Sequence, residues 1–294
     1  MSTGTTVHTG RTPTRTPPAT RRWSPPMALR RAPNYFFVLL IMLLYLFPLG
    51  FLVNTALKSN PEFFANPAGL TSSLHFGNFL VAWQKGNFGA YLLNSIMYTA
   101  IAATLSTLVS LIVGYPVSRR YIGYSRLWYG IFVAMLFLPN ALMTQFQLVL
   151  RLNLYDTALG YILMMASGLG VGPLLITGYV KSVPKEMDEA AALDGVGYWR
   201  FVLRILPPLI KPALATVFVF QAIGVWNDII LATILLPDQE KSPLTLGLFA
   251  FQGSHTSQWS LLAAATIIVA APLMIAYVFL QRFLVGSVVG AVKG

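Results

Sequence analysis

Few residues in this 294-residue chain are of a kind that does chemistry, and their spacing narrows that chemistry further. There is no cysteine, which excludes disulfides, thiolate catalysis and thiolate metal sites. The three histidines, His8, His75 and His255, are scattered, show no metal-ligand spacing and build no nucleophile–base set. No Gly-x-x-x-x-Gly-Lys-Ser/Thr phosphate loop occurs, so the usual ATP-binding apparatus is not in this chain. Two groups of polar residues remain. One is Gln221, Gly224 and Asp228, spaced i, i+3, i+7 with Asn227 alongside, in an otherwise apolar stretch. The other is an acidic and alanine-rich run around Glu189.

The elements that must carry them follow from composition. The chain is 56% hydrophobic and only 10% charged, with mean hydropathy +0.66; soluble domains carry roughly a quarter charged residues. A bilayer core asks for about 20 consecutive apolar residues per helix. Six runs meet that: Tyr35–Leu57, Tyr91–Ser118, Leu127–Leu150, Thr157–Val180, Pro212–Leu236 and Leu261–Leu280. The expectation is an all-α membrane protein of six transmembrane helices. Sixteen of the 20 Lys and Arg fall in the amino-terminal tail, the loops after the second and fourth helices, and the carboxyl tail. Basic loops stay in the cytoplasm, so both termini are expected inside. The net charge of +11 is spread over loops and one tail facing anionic lipid, which argues against a nucleic-acid partner.

Residues 1–33, rich in Thr, Pro and Arg, read as a disordered cytoplasmic tail, and 34–294 as the transmembrane domain. The first apolar run begins late and has no small-residue cleavage pattern after it, so it reads as a retained helix. The external loop 58–90 carries Pro61, Pro67 and several aromatic residues. It reads either as a connector with interfacial aromatics or as a docking surface for an external partner. Pro139-Asn140 and Gly168 to Pro173 read either as hinges or as ordinary transmembrane Pro and Gly. No internal repeat supports an inverted-repeat transporter.

Within helix five, Asp228 lies about 24 Å from Pro212 at 1.5 Å per residue, near the external edge of the bilayer. A polar stripe in lipid must face protein or water. Gln221, Gly224, Asn227 and Asp228 therefore line a cavity or gate, or else bond helix to helix at the interface.

The loop 182–211 is expected to fold as a short helix, a turn and a second helix. Pro184 suits the first turn of the short helix, and Glu186, Asp188 and Glu189 sit near its positive dipole end. Ala190, Ala191 and Ala192 continue it, and Gly195 supplies a left-handed terminator. Such a helix, capped by acids and faced with alanine, fits close approach to a groove in another protein. It equally fits an amphipathic helix resting on the bilayer.

Glu189-Ala190-Ala191, Asp194-Gly195, the run Ile205-Leu206-Pro207-Pro208 and Pro212 closely resemble the EAA loop of bacterial ABC importer permeases. The resemblance implies a type I importer permease fold with a cytoplasmic coupling helix between helices four and five. In it Glu189, Ala190, Ala191, Asp194 and Gly195 would dock on a separate ATPase. Two positions depart from the family pattern: Pro207 stands where Leu is usual, and Phe201 falls one residue early. Trp226-Asn227-Asp228, Pro243 to Gly247 and the terminus Phe283 to Gly294 are similar to the second permease of maltose-type carbohydrate importers, over roughly residues 35–294. There, 237–260 match a segment reaching the external binding protein and 285–294 one reaching the transport cavity.

The resemblance implies a bacterial cytoplasmic-membrane subunit that moves a sugar or oligosaccharide without chemistry on it. Its implied partners are a homologous permease in a heterodimer, two ATP-binding subunits that hold ATP and Mg, an extracytoplasmic solute-binding protein and lipid, with no cofactor or metal of its own. The alternatives are a stand-alone secondary transporter or channel, for which only Asp228 offers an intramembrane ionisable group, and a non-transporting scaffold.

Overall fold

The computed structural model describes residues 27–139, 141–168, 170–253 and 258–291, with the backbone alone for 27–34 and 280–291. The first helix is α1, Met27–Ala56. Residues 27–33, expected in the tail, are therefore helical; Met27, Ala28, Leu29, Arg30 and Arg31 are all strong helix formers. Residues 1–26 lie outside the described part. Two compact units are distinguished, 1–49 and 50–294. In the first, the apolar side chains of 35–49 are exposed all round, as suits a helix whose solvent is lipid.

In the second unit, α2 (Asn60–Ala65) and α3 (Gly77–Lys85) precede the long α4, Phe88–Arg119. Then follow α5 (Ser125–Met135), α6 (Leu142–Arg151), α7 (Ala158–Ala166), α8 (Val171–Ser182) and the short α9 (Glu186–Leu193). Next come α10 (Tyr198–Arg200), a π turn Phe201–Ile205, α11 (Leu206–Leu209) and α12 (Lys211–Trp226). The chain closes with α13 (Ile230–Leu235), two 3₁₀ segments (Gln239–Lys241 and Leu244–Phe251) and α14 (Trp259–Ala291).

Among the described residues, three helices are long and apolar enough to cross a bilayer: Tyr35–Ala56, Phe88–Arg119 and Trp259–Phe279. Two bent pairs would add two more, α7 with α8 at 46° and α10–α11 with α12 at 89°. The expected third and fourth spans are interrupted, and the fifth, Pro212–Leu236, is broken not by the 89° bend, which precedes it, but between Trp226 and Ile230. The third stops at Met135 and resumes at Leu142, across Pro139, whose ring removes a donor; Asn140 lies outside the described residues. The fourth breaks between Ala166 and Val171, where Gly168 and Gly170 weaken the helix. Gly168 and Gly170 therefore stand at the break between α7 and α8 and Pro139 at the break between α5 and α6, whereas Gly172 and Pro173 lie within the first turn of α8.

The 32 residues of α4 make it the axis of the bundle, about 48 Å long. Near Phe88, at its first end, Asn94 donates to the carbonyls of Glu240 (2.8 Å) and Ser242 (3.0 Å), and Tyr98 to that of Lys241 (2.9 Å). Lys241 pairs there with Asp156 at 3.0 Å and Asp238 at 3.1 Å. Near Arg119, at its second end, stand the α4–α5 turn and α9. Among these, 119–126 and 181–211 hold eight Lys and Arg. A core of Leu111, Tyr115, Ile176, Val180, Phe201 and Leu206 closes this second end.

Segment 58–76, just beyond α1, is a built loop rather than a slack connector. The ammonium of Lys58 is fully buried and donates to the carbonyls of Asn66, Pro67 and Gly69 at 2.8, 3.2 and 2.5 Å. Glu62 accepts from the Ser72 amide at 2.6 Å, which holds its carboxyl below the usual range.

Candidate functional site

Helix α9 presents two faces. Asp188 and Ala191 turn inward with Val196, while Glu186, Glu189, Ala190, Leu193, Asp194 and Gly195 are exposed. The inward face is fixed by charge. Arg119, the last residue of α4, reaches Asp188 at 2.6 Å, with side chains 3% and 7% exposed. The same guanidinium donates to the carbonyls of Val183 (3.0 Å) and Pro184 (3.5 Å), and the Tyr115 hydroxyl donates to Asp188 at 2.5 Å. Tyr115 also meets the rings of Tyr198 and Phe201 at 5.8 and 5.7 Å, joining the seat of α9 to the following helix.

The end of α9 is shaped as the composition demands. Gly195 adopts φ +72°, its amide donates to Ala192 O (3.0 Å) and that of Val196 to Ala191 O (2.9 Å). These two bonds close a Schellman motif, with Val196 and Ala191 in its apolar contact. Pro184 lies just ahead of the helix rather than in its first turn.

The outward face is unusual for a loop in water. Leu193 is 89% exposed, and Met187, Trp199 and Leu203 are exposed beside it in sequence. Met187 and Leu193 lie on α9 itself, Trp199 on α10 and Leu203 in the π turn that follows. Ala191 is the exception among the expected docking residues, since it packs against the core at the second end of α4.

Beyond α9 the course of the second loop helix is a π turn. The amide of Leu206 reaches back five residues to Phe201 O. Pro207, Pro208 and Pro212 lack amide protons, so regular i→i−4 bonding cannot continue through this stretch. The chain then bends by 89° into α12.

The other candidate residues are split by a break that the i, i+3, i+7 reading did not foresee. Helix α12 ends at Trp226, so Asp228 is not on its face. Its carboxylate accepts from the amides of Leu231 (3.3 Å) and Ala232 (2.8 Å) and from the Tyr161 hydroxyl (3.2 Å). It caps α13 and ties it to α7, because an Asp side chain competes with the backbone for donors and favours starting a helix over continuing one. Thr245 donates to Asp228 O at 2.7 Å, so the Pro243 to Gly247 run is fastened to this break. Trp226 donates to Val269 O at 3.1 Å, binding α12 to α14. Asn227 is exposed and donates back to Ile223 O at 3.0 Å; Gly224 faces open space. Gln221 donates to Met165 O at 2.6 Å and borders a cavity of about 310 Å³ beside Gly168, Gly170 and Phe220, where the fourth span breaks. The structure thus brings Gln221 to a cavity, leaves Gly224 and Asn227 open, and commits Asp228 to the backbone.

With that geometry in view, residues 106–289, more than half of the chain, match the family of binding-protein-dependent transport system inner membrane components. The chain belongs to this family. Among its relatives is the probable ABC transporter permease protein YurM of Bacillus subtilis, 30% identical over 88% of this permease and 88% of YurM. The melibiose/raffinose/stachyose import permease protein MelC of the same organism is 27% identical, covering 84% of this chain and 91% of MelC. The diacetylchitobiose uptake system permease protein NgcG of Streptomyces coelicolor is 29% identical, covering 87% and 86%. The fold matches that of a solved bacterial ABC transporter involved in the import of the acidic polysaccharide alginate, with TM-score 0.73, 22% identity, and 90% and 99% of the two chains covered. The permease is a membrane transport subunit, and family membership sets aside the stand-alone secondary transporter. Sequence reasoning missed Arg119, Tyr115 and Asp188 as a unit. Arg119 counted only as a basic loop residue and Asp188 only as a dipole partner, and nothing local links them.

Proposed function

We propose that the permease moves a sugar or oligosaccharide across the bacterial cytoplasmic membrane, driven by ATP hydrolysis on separate subunits that grip α9. The carrying observation is the seat of α9: anchored inward through Asp188 to Arg119, it leaves Glu189, Ala190, Leu193, Asp194 and Gly195 free for a partner. Force on such a helix passes directly to the end of α4. Ala191 sets its distance from the core. In this reading the chain crosses six times, counting α5 with α6 as one broken span, with both termini, the tail and the loop 182–211 in the cytoplasm. The basic second end of α4 supports that orientation.

The sugar reading draws on the names of MelC and NgcG. A homologous permease, two ATPases holding ATP and Mg, and an external solute-binding protein complete the assembly, and no cofactor is assigned to this chain. The pathway is lined by Gln221, Gly224 and Asn227, with Asp228 fixing its outer border. The test is co-purification of the tagged permease with its ATPase. Glu189→Lys and Gly195→Asp, inserted normally in the membrane, should lose the ATPase and sugar uptake together; uptake with no ATPase bound would sink the reading.

A further inference from the structure

A second group of charges at the Arg119 end of α4 has no part in seating α9. Arg120 follows α4, Arg126 opens α5 and Lys181 lies in the last turn of α8, and the three line one pocket of about 150 Å³ with Tyr129. No carboxylate lines this pocket, and none of the three cations enters an ion pair among the described residues. Arg119, their neighbour, is by contrast spent on Asp188.

Helix dipoles explain part of this arrangement. The carboxyl ends of α4 and α8 favour Arg120 and Lys181, but Arg126 stands in the first turn of α5, where a cation is disfavoured. Arg120 also takes φ 59°, at a position that helix ends usually give to glycine. Three cations held together without an acid call for an anion from outside. The neighbouring sequence points to its source: Tyr121 and Tyr124, between Arg120 and Arg126, and Leu127 and Trp128, just after them, are 57%, 84%, 61% and 45% exposed, aromatic and apolar side chains of the kind found where headgroups meet acyl chains. The Lys181 ammonium itself lies 5.0 Å over the Tyr129 ring, a cation–π contact that holds the charge at the pocket wall without neutralising it.

We propose that Arg120, Arg126 and Lys181 form a binding site for the phosphate of an anionic phospholipid headgroup. A lipid held there bridges the ends of α4, α5 and α8, beside the seat of α9. The proposal requires only that the chain spans a membrane, and it stands or falls separately from docking of α9 on an ATPase.

The test is native mass spectrometry of the full-length permease in detergent micelles, titrated with phosphatidylglycerol, phosphatidylcholine or inorganic phosphate. Phosphatidylglycerol should bind the wild type on the order of a hundredfold more tightly than phosphatidylcholine, with about a fivefold loss for each charge removed. The triple variant Arg120→Gln, Arg126→Gln, Lys181→Gln should fall to the phosphatidylcholine level. Arg120→Lys with Arg126→Lys should keep the preference, and so should Arg151→Gln, which removes a charge outside this pocket. Undiminished phosphatidylglycerol binding by the triple variant would overturn the site. Displacement of the lipid by millimolar inorganic phosphate would overturn the lipid as its occupant in favour of a free phosphoryl anion.

Discussion

The two ends of α4 lie beside ion pairs of opposite character, one made by α4 itself and one by the loop that Asn94 and Tyr98 of α4 grip. At Arg119 a single pair is sealed, its side chains 3% and 7% exposed and 2.6 Å apart. At the far end Lys241 is shared by Asp156 and Asp238, with side chains 29–38% exposed. Water screens the second arrangement, which contributes little and tolerates rearrangement. The first admits one geometry, because an unpaired charge there has nowhere to be solvated. Under the proposed function, a stiff joint suits the end that would pass motion from α9 to the bundle, and a yielding loop suits the end that would meet the solute-binding protein.

Breaking the sealed pair should have the largest effect. Asp188→Ala leaves Arg119 buried without its counter-charge, held only by two carbonyls, and should cost about 3–5 kcal/mol, read from unfolding in an SDS titration. Adding Arg119→Met should restore most of that stability while sugar uptake per ATP hydrolysed stays low, since the link to α4 is gone. Equal stability of the single variant and the wild type would erase the contrast between the two ends.

At the far end the larger effect is steric. A Cβ on Gly247 would stand 2.4 Å from Phe88 Cε1 and 2.8 Å from Gly86 O, so Gly247→Ala should cost about 1–3 kcal/mol in the same titration. Gly195→Ala meets no atom within 4 Å, so its penalty of about 1 kcal/mol is conformational, and Gly195→Asn should recover part of it.

The smallest effect is the pH response of the Lys241 network. The Glu240 amide, and Lys241 after it, hold Asp238 below the usual carboxyl range, while Asp156 and then Asp238 raise Lys241. The lowered Asp238 contributes stability above its unfolded value of about 3.9, lost as pH falls through the folded value. The raised Lys241 contributes below about 10.4, and that is lost as pH rises through its folded value. Proteolysis within 237–252 should therefore be slow and flat between those limits and speed up outside them. A change of rate between pH 5 and 9 would show that other groups hold the loop.

Much of this was legible in the residues. The long apolar helices α1, α4 and α14 fall where the hydropathy placed them, and the Schellman end of α9 is where Gly195 put it. Both rest on local physics, the additive preference of a segment for lipid and the freedom of one glycine at positive φ. The interruptions of the third, fourth and fifth spans were less legible, since Pro and Gly permit a break without requiring one. Asp228 stops helix five by accepting from the amides of Leu231 and Ala232, a local option its residue type permits without requiring, and only the fold adds the Tyr161 hydroxyl from another helix.

The sequence by itself determined an all-helical chain with long apolar helices and a short, acid-capped helix whose motif resembles the EAA loop of importer permeases. Only the tertiary structure decided that Arg119 spends its charge on Asp188 while Arg120 does not, that Ala191 turns inward and Leu193 outward, and that Lys58 is buried under three carbonyls. The physical reason is that hydropathy and propensity sum along the chain, whereas the pairing of a charge depends on which distant group folding brings within 3 Å of it.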